Sequence, residues 1–215
     1  MDIKKPTKRP VWDLPTRIFH WGLALSVSLS MLIVYGKSYL YVHIVAGLLS
    51  FVLVVGRLVW GFVGTKYVRF SSFLKGVKDI KSEFSSFQES SIHHTVGHPA
   101  LAGWVMLLLM LCAFCVGVSG IWLWLVSDVR ESKEVLLGVH EIFANTLLII
   151  AFIHVQGVFL HIFLHRDGIV TAMVDGKRPA RKEEAIGSLS ATQRVVALVW
   201  FACAIIVSIW ALRFI

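Results

Sequence analysis

Five stretches of the chain are almost free of Asp, Glu, Lys and Arg. Each is about as long as the 20 or so apolar residues a helix needs to cross a bilayer core. They run over residues 18–36, 39–64, 99–127, 135–164 and 195–212, with Arg57 interrupting the second and Glu141 near the start of the fourth. In lipid, backbone N–H and C=O groups must pair within their own segment, so each stretch is expected to be a helix rather than an isolated strand. The predicted fold class is all-α: an integral membrane helical bundle of five transmembrane helices. The first stretch carries His20-Trp21 at its start and ends in Ile33-Val34-Tyr35-Gly36-Lys37 without a small-x-small cleavage pattern, so it is expected to be retained. Residues 67–97 form a polar stretch with scattered Phe, expected to be a loop that includes a surface helix around residues 70–87. No internal repeat or low-complexity tract interrupts the pattern.

Composition agrees: 57% of residues are hydrophobic and 16% charged, against about 25% charged in an average soluble domain. The net charge of +8 changes meaning once its distribution is followed. Lys4, Lys5, Lys8, Arg9 and Arg17 precede the first span. Lys66, Arg69, Lys75, Lys78 and Lys81 follow the second, and Arg166, Lys177, Arg178, Arg181 and Lys182 follow the fourth. All three groups fall on one side if the spans alternate, which is the signature of a cytoplasmic face and not of a nucleic-acid surface. The chain is expected in the bacterial inner (plasma) membrane, multi-pass, in contact with lipid, with its N-terminus cytoplasmic and its C-terminus, after Arg213, periplasmic. No nucleic-acid partner is expected. The opposite loops, around Lys37-Ser38 and 128–134, are short.

Side chains that ionise or ligate are costly inside a bilayer, and their presence there points to function. Of nine histidines, His20, His43, His140, His154 and His161 fall within spans; His93, His94, His98 and His165 lie in or beside inner segments. His140 and His154 are 14 residues apart on the fourth span, about 40° apart around a helix and about 21 Å apart along it. They share a face but cannot hold the same ion. If each site is a bis-imidazole haem, the topology offers His43 as partner of His140 near the outer side and His20 as partner of His154 nearer the inner side. His161, 7 residues beyond His154 on the same face, is an alternative inner ligand; a hydrogen-bonded core role is the alternative for any single histidine.

Two rigid imidazoles would close the iron to external ligands, which suits outer-sphere electron transfer better than binding O₂. Without a Cys-x-x-Cys-His motif, any haem is non-covalent. Arg17 and Arg57 are candidates for haem propionates, with inner-leaflet anchoring as their other reading. Gly22, Gly47 and Gly157 are candidates for close approach of a flat macrocycle, or for helix packing. Cys112-x-x-Cys115 has metal-like spacing, yet two small residues facing a neighbouring helix account for it. Trp12, Trp21, Trp60, Trp104 and Trp124 lie near span ends, where interfacial anchoring is expected.

These residues resemble the prokaryotic cytochrome b(561) and nickel-iron hydrogenase cytochrome b family from about Trp12 to Pro179. The similarity runs through Trp12-Asp13, Thr16-Arg17-Ile18-Phe19-His20-Trp21, His43 with Gly47, and Arg57-Leu58-Val59-Trp60-Gly61-Phe62-Val63-Gly64 leading to Arg69-Phe70. It continues through Gly97-His98-Pro99, His140-Glu141 and His154 to Met173-Val174-Asp175-Gly176-Lys177. The family pattern usually has Asn between the His and Pro of Gly-His-Pro, which is missing here. The resemblance implies a four-helix core binding two haems b through His20, His43, His140 and His154. It also implies electron exchange between quinone or quinol and a periplasmic or membrane redox protein such as a hydrogenase or a cytochrome c. On this reading residues 1–190 form a dihaem cytochrome b domain and 191–215 an additional C-terminal transmembrane helix.

Two other function classes stay open at this point. A superoxide:quinone oxidoreductase would be an enzyme in its own right and would need a cationic outer mouth. Lys37, Arg130 and Lys133 are there offset by Asp128, Glu131 and Glu134. A haem-free transporter or structural subunit would use the histidines as a proton path or as packing groups.

Overall fold

The computed structural model describes residues 7–32, 39–74, 76, 81, 97, 100–125, 130–165 and 168–214. Among these, helices dominate: α1 (Leu14–Leu32), α2 (Leu40–Val63), the single turn α3 (Phe70–Phe73), α4 (Ala100–Leu125), α5 (Arg130–His165), α6 (Ile169–Asp175) and α7 (Ala191–Ala211). Strands β1 (Thr7–Pro10) and β2 (Lys177–Ala180) pair antiparallel, Thr7 opposite Ala180 and Pro10 opposite Lys177.

Four described helices are long and apolar enough to cross a membrane: Leu40–Val63, Leu101–Leu125, Lys133–Phe163 and Ala191–Ala211. α1 lies where the first of the five spans was expected. Pro15, Thr16, Arg17 and His20 make its opening turns polar, and residues 33–36 of that span lie outside the described residues. Charge-free windows locate the lipid-buried part of a helix, not its ends. Thus α7 begins at Ala191, four residues before its window, because Ser190 and Gln193 form a reciprocal cap: Ser190 Oγ accepts from the Gln193 amide at 3.2 Å and Gln193 Oε1 from the Ser190 amide at 3.0 Å. α5 likewise extends back through its charged first turns to Arg130. Of the surface helix expected around 70–87, the described part is the turn Phe70–Phe73; most of the remainder lies outside the described residues.

α2 is the centre of the bundle, packed along α1, α4 and α7, while α5 packs along α4. α1 and α5 are not closely packed on one another. At one end, here called the ribbon end, Asp13 ties α1 to α2. It caps α1 by accepting from the Thr16 amide at 2.8 Å, and its other oxygen accepts from Thr65 Oγ1 at 2.6 Å and Trp60 Nε1 at 3.3 Å. Trp12 and Trp60 are therefore buried parts of this knot and not the interfacial anchors their position near span ends suggests.

The β1–β2 ribbon closes the same end. The Val11 and Trp12 amides donate to the Gly176 carbonyl at 2.8 and 3.0 Å, and Trp21 Nε1 donates to the Met173 carbonyl at 2.9 Å. Arg17 Nη1 donates to the Val174 carbonyl. Gly176 has φ 78°, and a Cβ there would lie 2.7 Å from the Trp12 carbonyl oxygen, so a larger residue is both strained and obstructed.

The core runs from Val11 and Trp12 through Phe19, Leu53, Val54 and Trp60 to Cys112, Leu147, Ile150 and Trp200. A Cβ on Gly56 would sit 1.9 Å from the Trp200 indole, so glycine lets α7 seat its tryptophan directly on the α2 backbone. Outside this core, large apolar side chains such as Leu32, Phe62, Phe163 and Leu198 are exposed, the exterior of a bundle whose solvent is lipid.

Candidate functional site

The least exposed positions along α5 include Leu136, His140, Phe143, Leu147, Ile150, His154, Val158 and His161. Their three- and four-residue steps trace one helix face, so all three span histidines of α5 lie on the stripe turned towards the bundle. At the far end, opposite the ribbon, His140 meets His43 of α2 with ring centroids 6.1 Å apart and planes at 72°. Two ring nitrogens each about 2 Å from a shared metal place their ring centres about 6 Å apart. The pair thus has the separation of two axial ligands.

Hydrogen bonding fixes which nitrogen each ring offers. His43 Nδ1 lies 2.9 Å from the Ser30 carbonyl oxygen, which only accepts, so this nitrogen carries the proton. Ser30 Oγ is 3.0 Å from the same nitrogen. His140 Nδ1 lies 3.0 Å from Ser119 Oγ. The Ser119 hydroxyl has carbonyl acceptors at Cys115 and Val116, 2.8 and 3.0 Å away, so its oxygen accepts from His140 Nδ1–H. Nε2 of both rings is left unprotonated, the form a metal ligand requires. A Cβ on Gly120 would lie 3.1 Å from His140 Cε1, so the ring rests against the α4 backbone.

Towards the ribbon end α1 carries His20 and α5 carries His154. His20 packs edge-on against Trp21, and its buried Nδ1 has no hydrogen-bond partner. Arg57 is buried close by, its guanidinium 5.9 Å from the Phe19 ring and ringed further by Phe70 and Phe73. Its Nη2 donates to the Val68 carbonyl at 3.1 Å, while its buried Nη1 has no partner. One arm of a buried cation is therefore free for an anion. Arg17 spends Nη1 on Val174, and its buried Nε is unpartnered.

Of the three glycines considered for macrocycle approach, Gly22 packs tightly, a Cβ there meeting Leu53 at 3.3 Å. Gly47 and Gly157 have more room, with nothing nearer than 4.0 Å. Cys112 is buried in the core, and no group of three or more His, Cys, Asp or Glu that could hold a metal ion occurs among the described residues. His93, His94 and His98 lie outside the described residues.

Ser30 and Ser119 were not singled out from sequence. Each sits in an apolar helix where a serine serves equally as interhelical glue, as Ser26 and Ser50 do across α1 and α2 at 2.8 Å. Only the register of three helices shows which serine meets an imidazole.

The chain matches the family model described as prokaryotic cytochrome b561 over residues 11–176. No curated protein and no solved structure matches it.

Proposed function

The chain belongs to the prokaryotic cytochrome b561 family, membrane electron carriers that bind haem b, and on that premise we propose that it holds two haems at two depths and passes electrons between quinone and a redox protein partner. The observation that carries this reading is the far-end pair, two imidazoles 6.1 Å apart whose Nδ1 protons are both engaged. Haem b supplies a one-electron couple.

His43 and His140 would hold the far-end haem through Nε2 from rigid helices, which suits outer-sphere transfer better than O₂ binding. His20 and His154 form the second pair, supported by their place on α1 and α5 and by the unpartnered His20 Nδ1. His154 is preferred to His161 because it leaves a helix turn or more of apolar cover towards the cytoplasm. Arg57 offers its free Nη1 to a propionate, and Arg17 borders the same end as a second cation. The basic ribbon end faces the cytoplasm, with quinone reacting near the start of α1 and the redox partner on the periplasmic side. Residues 1–190 make the dihaem unit, and α7 is an addition outside the family match.

The test is the spectrum and stoichiometry of the purified protein. A reduced-minus-oxidised difference spectrum should show a b-type α-band, with two haems per chain and reduction by a quinol analogue. A chain purified intact from a haem-replete membrane with no such band overturns the reading.

A further inference from the structure

The far-end pair and His20 differ in what accepts their outer ring protons. A hydrogen bond from Nδ1–H makes an imidazole a stronger donor through Nε2 and so favours the oxidised metal, one of the levers by which a protein sets a haem potential. At the far end both rings have such an acceptor, the Ser30 carbonyl for His43 and Ser119 Oγ for His140. Ser119 is a strengthened acceptor, since its own hydroxyl is given to the α4 carbonyls of Cys115 and Val116. At the ribbon end the buried His20 Nδ1 has no acceptor.

We propose that Ser119, acting through His140, holds the far-end haem at a lower potential than the ribbon-end haem, so that electrons run downhill from the far end to the ribbon end. The inference rests on the two-haem reading above. The transfer is a bare one-electron exchange: one site is oxidised as the other is reduced, and neither bonds nor protons change place, His140 Nδ1–H included. Ser119 is a positioning residue, since it reaches the metal only through the imidazole.

The experiment is a potentiometric titration of the holoprotein in detergent, followed at the α-band. The wild type should show two one-electron components, and His140→Ala should abolish the lower. Ser119→Ala should move the lower component upward by about a tenfold change in its reduced-to-oxidised ratio, roughly 60 mV for one electron. The upper component should stay in place, and Ser119→Thr should restore the wild-type value. Nitrogen NMR of His140 in the haem-free protein gives an independent readout: a single Nδ1–H tautomer in wild type, and a mixture in Ser119→Ala. Loss of the higher component in His140→Ala, or two unmoved midpoints in a Ser119→Ala variant that keeps both haems, overturns the proposal and leaves the two-haem reading standing. A wild type with fewer than two haems overturns both. If His140→Ala does not fold, the Ser119→Ala shift and its component decide the matter alone.

Discussion

At the far end His43 and His140 meet with their ring planes at 72° on helices joined through α4, with serines from α1 and α4 fixing their rings. At the ribbon end His20 and His154 belong to α1 and α5, which are not closely packed, and the Asp13 knot and the ribbon hold that end together instead. One site is thus shaped by helix-to-helix contact and the other by a clamp outside the helices. The difference teaches that two ligand sets sharing one helix need not be equally preorganised: rings whose Nδ1 is already hydrogen-bonded are oriented before any metal arrives, whereas a ring whose buried Nδ1 has no partner is not.

The largest expected effect tests whether the two ends are separate sites. His43→Ala and His140→Ala should each remove one haem of two, and so should His154→Ala, while His161→Ala keeps both; a pyridine haemochrome assay against protein concentration reads this directly. Loss in His161→Ala with retention in His154→Ala would exchange their roles and move the ribbon-end site towards the helix end. Next in size, Asp13→Ala leaves three buried donors without their acceptor and should lower stability by about 3 kcal/mol. It should appear as earlier thermal release of the ribbon-end haem with the far-end band unchanged. Gly56→Ala forces a methyl into the Trp200 indole and should cost about 1–3 kcal/mol. A crosslink between α2 and α7 should weaken while the far-end midpoint stays put. The smallest effect belongs to Ser30→Ala, which removes a hydroxyl but leaves the Ser30 carbonyl at 2.9 Å from His43. Its midpoint shift should be well below that of Ser119→Ala in the same titration.

Much of this arrangement could be read from the chain before its structure. The spans followed from charge-free windows, because lipid excludes Asp, Glu, Lys and Arg regardless of tertiary detail. The meeting of His43 and His140 followed from their depths, which helix rise alone supplies. What escaped was whatever depends on the rotation of one helix against another. Ser119 reads as one more small residue until the register of α4 against α5 is known. Arg57 was visible as a cation in a span, but its setting among Phe19, Phe70 and Phe73 was not. The ribbon was hidden for a local reason: each strand is four residues long and contains a proline, Pro10 or Pro179, so neither shows the alternation that marks a strand.

The pairing of Thr7 with Ala180 also carries a statement about time. Chain synthesis delivers His43 and His140, with Ser30 and Ser119, before residue 177 exists, so the far-end site has all its parts while the ribbon cannot yet form. β1 must wait for β2 across most of the chain's length, and closing so long a loop is entropically unfavourable and slow. The ribbon-end site is thereby expected to be the later of the two to reach its final width.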